Sequence, residues 1–383
     1  MQLSVQQCGD EVDKTIDKEQ TMLSMTTTYR AVLHQFLRFA GLIGLVLLLA
    51  FSILLFQGHS PADILSAVYS STLASDFRIA NTLNRLVLMT LVGLTAAVPF
   101  SAGIWNVGGE GQITVGAFAA ALVGFGLSGL AVQIHVALAV LTAMLAGALW
   151  AAIPAVLRLR FHANEIVTTI MMNYIAIQLT DYLANYPFRA LNSPSAETPR
   201  VLETAQFAKL ISLSNLNTGI FVAIAAFIFV CYLMRKSAVG YEWRTLGKNP
   251  LFARYGGVQS AQRQFLAMCV GGALAGLVGS ILVLGIQRRF IVGIAGGLGF
   301  TGALIALVAV NSVLMVLVIA TIFALIQSGV LGMEGRLGVA VELSDILQSI
   351  IILLIIVREA IWSWFARLAA HIRRAGGKDL HAV

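Results

Sequence analysis

The sequence predicts an all-α fold, a polytopic membrane helical bundle of about ten transmembrane helices with two pseudo-symmetric halves. The first reason is composition, because 58% of the 383 residues are hydrophobic and only 11% are charged, whereas about 25% of a soluble domain is charged. The second is that the apolar residues form long blocks, and a helix of about 20 apolar residues crosses a bilayer. The third is that most Lys and Arg residues stand at block ends, which is typical of the cytoplasmic side of membrane proteins.

Ten apolar segments are predicted to span the membrane. In chain order they cover residues 39–56, 81–100, 113–130, 135–157, 165–186, 218–234, 264–286, a segment ending near 310, 313–331 and 343–361. The segment ending near 310 follows the glycine-rich stretch 293–302. The polar linker 57–79 is expected to hold a short helix that begins at Pro61. The proline-containing segment 187–216 is expected to be an external loop.

An even number of spans places both termini on one side of the membrane. The main basic segments then fall on that same side, which the positive-inside rule identifies as the cytoplasm. They are residues 30–38, 158–162, 235–263 and 367–378. The predicted organisation is a cytoplasmic N-terminal tail, a transmembrane domain with a long cytoplasmic loop, and a basic cytoplasmic C-terminal tail. These parts cover residues 1–38, 39–362 with the loop at 235–263, and 363–383.

The stretch from Pro99 to Phe118 carries polar residues between two apolar blocks. Asn106, Glu110 and Gln112 occur there among five glycines. A carboxylate within a membrane normally faces a cavity or a partner, and many transporters build their binding site at such a helix break. Two alternatives remain open, a tight loop at the membrane face with Glu110 in solvent, and a structural role in which Glu110 binds backbone amides freed by its glycines.

A second glycine-rich stretch, at 293–302, also precedes a span rich in small residues. Two such breaks are the weak internal symmetry that is expected of a transporter built from two repeats. The GxGxxG pattern at Gly297–Gly302 has no soluble strand before it, so a dinucleotide site is not expected. In the seventh span, Gly272 and Gly276 form a GxxxG pattern that predicts close helix packing.

Several functional classes are disfavoured. Lys248 follows Gly247, but no glycine stands five positions before Gly247, so the chain lacks a P-loop for ATP. The cysteines and histidines have no spacing typical of a metal site and no nucleophile–base pair is visible, so no metal, cofactor or catalytic site is expected. The formal charge of +7 is spread over span ends instead of one soluble face, which argues against nucleic-acid binding.

The loop 235–263 is the second informative stretch, with six Lys or Arg residues against one Glu. Asn249 and Pro250 suit the N-cap and the first turn of a helix, and the glycines at 256–257 suit its end. This predicts a helix of about two turns whose exposed aromatic side chains need a partner. That partner is either a protein groove or the lipid headgroups.

Four ordered segments are similar to motifs of a known family, the permease subunits of bacterial ABC importers for nucleosides and simple sugars, which are related to branched-chain amino-acid permeases. The segments are Trp105–Gln112, Asn164–Tyr174, Gly247–Gly257 and Gly297–Ala309. The first resembles F-N-I-G-x-E-G-Q with Trp105 in place of Phe, and the last departs from its motif at residues 308–310. The resemblance covers residues 40–362 and leaves out residues 1–28.

The resemblance implies a transport subunit of the bacterial inner membrane that has no ATP site of its own. Its partners would be a cytosolic ABC ATPase, a second permease subunit (the same chain or a sister chain), an external solute-binding protein and the lipid bilayer. The ATPase-coupling helix would comprise Gly247, Asn249, Pro250, Ala253, Arg254, Tyr255 and Gly256. The translocation path or its break would be flanked by Asn106, Glu110, Gln112, Asn173, Tyr174, Gly299 and Phe300.

Two other classes remain as alternatives to an ATP-driven permease for nucleosides or simple sugars. A secondary transporter driven by an ion gradient would use an intramembrane carboxylate, either Glu110 or Asp181. A membrane-embedded enzyme would need a catalytic constellation that the sequence does not show. The positions of these two carboxylates in the structure are therefore of particular interest.

Overall fold

The computed structural model describes residues 60–191, 193, 195–211, 214–310, 312–337 and 346. Within these ranges the regular structure is helical and β-structure is limited to two isolated bridges, which confirms the all-α prediction. The first expected span, both expected tails and all of the last expected span except residue 346 lie outside the described residues. The described residues from 62 to 337 belong to one compact unit.

The described part of the chain contains eleven α-helices. They are α1 (Pro61–Thr72), α2 (Asp76–Ser101), α3 (Gly109–Gly126), α4 (Val132–Phe161), α5 (Glu165–Asn185), α6 (Gly219–Lys236), α7 (Ala238–Lys248), α8 (Pro250–Tyr255), α9 (Ser260–Ile281), α10 (Leu298–Val308) and α11 (Val313–Leu337). A 3-10 turn at Glu203–Ala205 lies between α5 and α6, and a π-helical turn at Leu282–Gln287 extends α9. The short helix expected at Pro61 is confirmed.

Five helices in these ranges are long and apolar enough to cross a membrane. They are α2, α4, α6, α9 with its π-helical turn, and α11 over Val313–Leu331. The helices α3 and α5 lie where the third and fifth spans are expected, and their 18 and 21 residues match the length of a span. The described helices therefore follow the predicted order of spans, with one exception.

The exception is the eighth expected span, whose helix is too short to cross a membrane alone. Its helix, α10, has only 11 residues, or about 16 Å of length, against a hydrocarbon core of roughly 30 Å. The preceding residues 288–297 are not helical, and Gly293, Gly296 and Gly297 have φ angles of 75°, 52° and 82°. Glycine adopts such left-handed angles at no steric cost, so these residues form an irregular segment before α10.

Side-chain caps explain where α2 and α5 begin. The Ser75 side chain accepts a hydrogen bond from the Arg78 amide at the start of α2. The Asn164 side chain accepts hydrogen bonds from the amides of Ile166 and Val167 at the start of α5. Because the first amides of a helix have no intrahelical acceptor, such side chains fix the first residue of the helix.

Glycines bring α3, α4 and α9 into backbone contact. Gly276 of α9 lies against the carbonyl group of Ala143 in α4, and an added Cβ would overlap that group. Gly147 of α4 lies in the same way against Gly272 of α9, and Gly116 of α3 lies against Gly276. Small residues allow this close approach, which supplies the packing that holds helices together in lipid. The close packing predicted for the GxxxG pattern is confirmed.

The outer surface of α4 is apolar. Its exposed residues Leu138, Leu141, Leu145 and Leu149 recur at helical spacing on one face. A continuous leucine face matches a hydrocarbon environment, so this side of the bundle is suited to contact with lipid.

The described bundle has two different ends. At one end, the segment between α5 and α6 covers helix termini, since the Leu202 amide donates to the Gly124 carbonyl of α3 (2.8 Å) and the Phe207 amide donates to the Leu284 carbonyl (3.0 Å). At the other end, α7 packs against the C-terminal end of α2. The short helix α8 follows α7 at this second end.

We expect Gly276→Ala to lower the free energy of unfolding, because the new methyl group overlaps the Ala143 carbonyl group. Overpacking of this kind costs about 1–3 kcal/mol. Thermal unfolding of the detergent-solubilised protein measures the effect. Gly126→Ala is the matched control, since an added Cβ there meets no atom within 4 Å. Equal melting temperatures for the two variants would contradict the described packing.

Candidate functional site at the junction of two glycine-rich segments

The segment between α2 and α3 satisfies many of its own polar groups. The Asn106 and Gln112 side chains form a reciprocal amide pair, with Nδ2 to Oε1 at 3.1 Å and Nε2 to Oδ1 at 2.9 Å. The Asn106 Oδ1 also accepts the Gly108 amide at 3.1 Å. Both side chains are buried, and irregular backbone at membrane depth persists only when its polar groups have partners.

Asn173 of α5 holds the same segment from the side. Its Oδ1 accepts the Gly111 amide at 2.8 Å, and its Nδ2 donates to the Val107 carbonyl at 3.0 Å. Gly111 permits this contact, because an added Cβ would come within 2.9 Å of the Asn173 Cα atom. One buried amide therefore fixes both the end of the irregular segment and the first turn of α3 against α5.

Glu110 joins the first glycine-rich segment to the second one. Its Oε1 accepts the Gly297 amide at 2.7 Å and its Oε2 accepts the Gly299 amide at 2.8 Å. Glu110 therefore binds backbone amides, the kind of partner that the second sequence-based alternative names. The donors, however, are amides of the segment 293–302 and not those freed by the glycines around Glu110.

Two helix N-termini meet at this carboxylate. Glu110 lies in the first turn of α3, and Gly297 is the N-cap residue of α10. Helix N-termini carry unpaired amides and a partial positive charge, both of which favour an anion. The two backbones also touch, because an added Cβ on Gly299 would overlap the Glu110 amide nitrogen. This arrangement explains how a carboxylate is accommodated in a buried position.

The helix α7, which sequence analysis missed, anchors the long basic loop to the bundle. Ser237 caps its start by accepting the Gly240 amide at 3.1 Å. Trp243 is fully buried and its indole nitrogen donates to the Arg263 carbonyl at 2.7 Å. At the end of α7, Gly247 lies so close to Ser101 of α2 that an added Cβ would overlap the Ser101 carbonyl group.

The predicted short helix is confirmed as α8. The Asn249 side chain accepts the Phe252 amide at 3.0 Å, and Pro250 is the first helical residue. The chain leaves the helix through Gly256 and through Gly257, whose φ angle is 81°. Ala253 is buried against the bundle. The remaining large side chains of this helix, Leu251, Phe252, Arg254 and Tyr255, are exposed.

The structure separates the predicted path residues into two groups. Asn106, Glu110, Gln112, Asn173 and Gly299 come together in the buried junction. Tyr174 and Phe300 are exposed, at 61% and 42% of their maximum, and lie outside it. Asp181 is eight residues along α5 from Asn173, which places it about 12 Å away.

Residues 78–356 match the family model described as branched-chain amino acid transport system / permease component. The chain belongs to this family. It is 34% identical over 309 residues to the guanosine ABC transporter permease protein NupP of Bacillus subtilis, covering 79% of this chain and 88% of that one.

Two further relatives of this permease have similar coverage. The glucose ABC transporter permease protein TsgB13 of Haloferax volcanii is 33% identical over 78% of this chain and 81% of its own. The nucleoside ABC transporter permease protein NupB of Lactococcus lactis is 29% identical over 84% of this chain and 88% of its own. No solved structure matches the permease. The chain is therefore a multi-pass membrane subunit of ABC transport.

We expect Asn173→Leu to destabilise the permease, because it leaves the Gly111 amide and the Val107 carbonyl buried without their described partner. Each unsatisfied group costs about 1–3 kcal/mol. Thermal unfolding in detergent measures the loss. The control is Asn185→Leu on the same helix, which removes only a bond to the Asp181 carbonyl within α5. An equal loss in both variants would show that Asn173 does not brace the junction.

Proposed function

We propose that this permease forms the translocation path of an ATP-driven importer for nucleosides, with simple sugars as the second solute class. Two cytosolic ABC ATPases drive it, a second permease, identical or a sister chain, completes the path, and an external solute-binding protein delivers the solute. Support for nucleosides comes from relatives that are named as guanosine and nucleoside permeases, and a glucose permease among the relatives keeps sugars in second place.

The observation that supports coupling to an ATPase is the exposed apolar surface of α8. A helix of six residues cannot bury its own apolar face, and here Leu251, Phe252 and Tyr255 are 62%, 62% and 85% exposed. Clustered exposed aromatic side chains mark binding surfaces. The buried Trp243 anchors α7 to the bundle. Because α8 follows α7 directly, its exposed side chains are held in position to enter a groove in the ATPase. The end that carries α7 and α8 then faces the cytoplasm, as both termini do.

The face of α5 that carries Tyr174 supports a solute path along this helix. Tyr174, Gln178 and Tyr182 are exposed at spacings of four residues, whereas the exposed face of α4 is lined by leucines. A polar amide facing lipid is unfavourable, and a nucleoside offers an aromatic face and hydroxyl groups to such side chains. We therefore assign solute contact to Tyr174 and Phe300. To Asn106, Gln112 and Asn173 we assign the role of holding the segment between α2 and α3 in place beside the path.

Affinity purification of the tagged chain from native membranes, followed by mass spectrometry and reconstitution, tests this function. We expect a stoichiometric P-loop ATPase to co-purify, and we expect ATP-dependent uptake of labelled guanosine when the solute-binding protein is supplied. Uptake that persists without ATP and stops when the ion gradient is collapsed would refute the proposal. That result would favour the secondary transporter, with Glu110 or Asp181 as its carboxylate.

We expect Arg254→Glu to reduce uptake by at least about tenfold, because a reversed charge in a protein interface costs affinity. The exposed position of Arg254 predicts an unchanged melting temperature and normal insertion. Uptake by proteoliposomes and co-purification of the ATPase are the two measurements. Lys236→Glu makes the same charge change at an exposed site just before α7 and serves as control. Normal uptake by the Arg254 variant would exclude α8 as the coupling element.

A further inference from the structure

The end of α7 contacts the end of α2 through the backbone. Gly247 packs against Ser101 and lies next to Gly103, whose φ angle is 73°. The Gln264 side chain of α9 donates to the Ala102 carbonyl at 3.2 Å. Because the first contact is backbone to backbone, no flexible side chain absorbs a displacement there. A shift of α7 toward α2 therefore moves the start of the irregular segment.

Residues 102–112 connect the end of α2 to the first turn of α3. The interior of this segment is held by the Asn106–Gln112 amide pair and by the two bonds of Asn173. Buried polar groups that are fully paired make a segment rigid. The segment thus acts as one piece whose far end is the first turn of α3.

The segment before α10 is loosely packed, but an added Cβ on Gly302 would overlap the Val92 carbonyl group of α2, which shows close packing of α10 itself. Glu110 holds its N-terminus by two hydrogen bonds. On the upstream side, Gly293 and Gly297 have left-handed φ angles, and an added Cβ at either position meets nothing within 4 Å. Backbone with this freedom and this little packing is suited to bend.

We propose that Glu110 is the positioning residue that transmits movement of α7 and α8 to α10, so that ATP hydrolysis and solute movement are coupled through its carboxylate. The inference rests on the proposed function, because the movement of α8 originates in the ATPase. In this arrangement α10 is the part of the translocation path that moves. The segment 293–297 is the hinge that permits the movement.

The test compares Glu110→Gln with the wild-type complex in proteoliposomes that contain the ATPase and the solute-binding protein. Glutamine has the same shape, but its NH2 group faces an amide donor and breaks one of the two hydrogen bonds. We expect the number of labelled guanosine molecules moved per ATP hydrolysed to fall by about tenfold, a typical coupling effect between sites. Glu203→Gln, an exposed carboxylate at the opposite end, is the matched control.

We call the chain of contacts from α7 through residues 102–112 and Glu110 to α10 the relay. A second variant tests it at the α7 end, which is the end nearer the ATPase. Gly247→Ala pushes α7 away from the Ser101 carbonyl group and is expected to lower the same ratio. Because both changes interrupt one chain of contacts, the double variant is expected to be no worse than the more severe single variant. If the two substitutions acted independently, their fold losses in this ratio would multiply.

The outcomes separate the relay from the proposed function. A wild-type complex without ATP-dependent uptake of either guanosine or glucose refutes the proposed function and the relay with it. A working wild type with an unchanged ratio in Glu110→Gln refutes the relay alone. Uptake and ATP hydrolysis that fall in equal proportion, with or without a lower melting temperature, also refute the relay, because a purely structural role leaves the ratio constant. Multiplying losses in the double variant contradict the single chain of contacts.

Discussion

Glu110 lies in the first turn of α3 and receives both of its hydrogen bonds from the N-terminus of α10. Two stretches of irregular backbone, residues 102–108 and 288–297, therefore share one negative charge. A bilayer does not supply hydrogen-bond partners for irregular backbone, so each stretch needs partners from the protein. The positive ends of two helices also compensate the carboxylate. Together with the direct backbone contact between Gly109 and Gly299, this carboxylate fixes the two glycine-rich segments relative to each other.

Glycine provides the second constraint, because it lets these elements touch through their backbones. Gly247 lies against Ser101, and Gly109 and Gly299 meet beside the Glu110 carboxylate. Side-chain contacts can rearrange as helices shift, whereas direct backbone contacts transmit a displacement with little slack. The packing of α3, α4 and α9 through Gly116, Gly147 and Gly276 follows the same rule. The helix α10 belongs to the same close packing, since Gly302 lies against the Val92 carbonyl group of α2, whereas Gly293 and Gly297 before it have no such contact.

Local features of the fold were predictable from the sequence, and contacts across the fold were not. The short helix at Asn249 and Pro250 was predictable because its cap, first turn and terminating glycines are neighbours in the chain. The donors to Glu110 are backbone amides 187 and 189 residues away, and backbone amides leave no side-chain signature. The start of α10 was not predictable because an apolar run does not reveal which of its glycines adopt left-handed angles. The helix α7 was missed inside a basic loop, although Ser237, Trp243 and Leu246 have the spacing of a capped helix with one buried face.

The most direct test is a pair of cryo-electron microscopy structures of the assembled transporter, one without nucleotide and one trapped with ATP. The quantity to measure is the displacement of α10 relative to α4, compared with the displacement of α8. The account predicts that the two helices move together while Glu110 stays within hydrogen-bond distance of the Gly297 and Gly299 amides. A large movement of α8 with α10 fixed against α4 would contradict it. So would loss of both Glu110 hydrogen bonds while α10 moves.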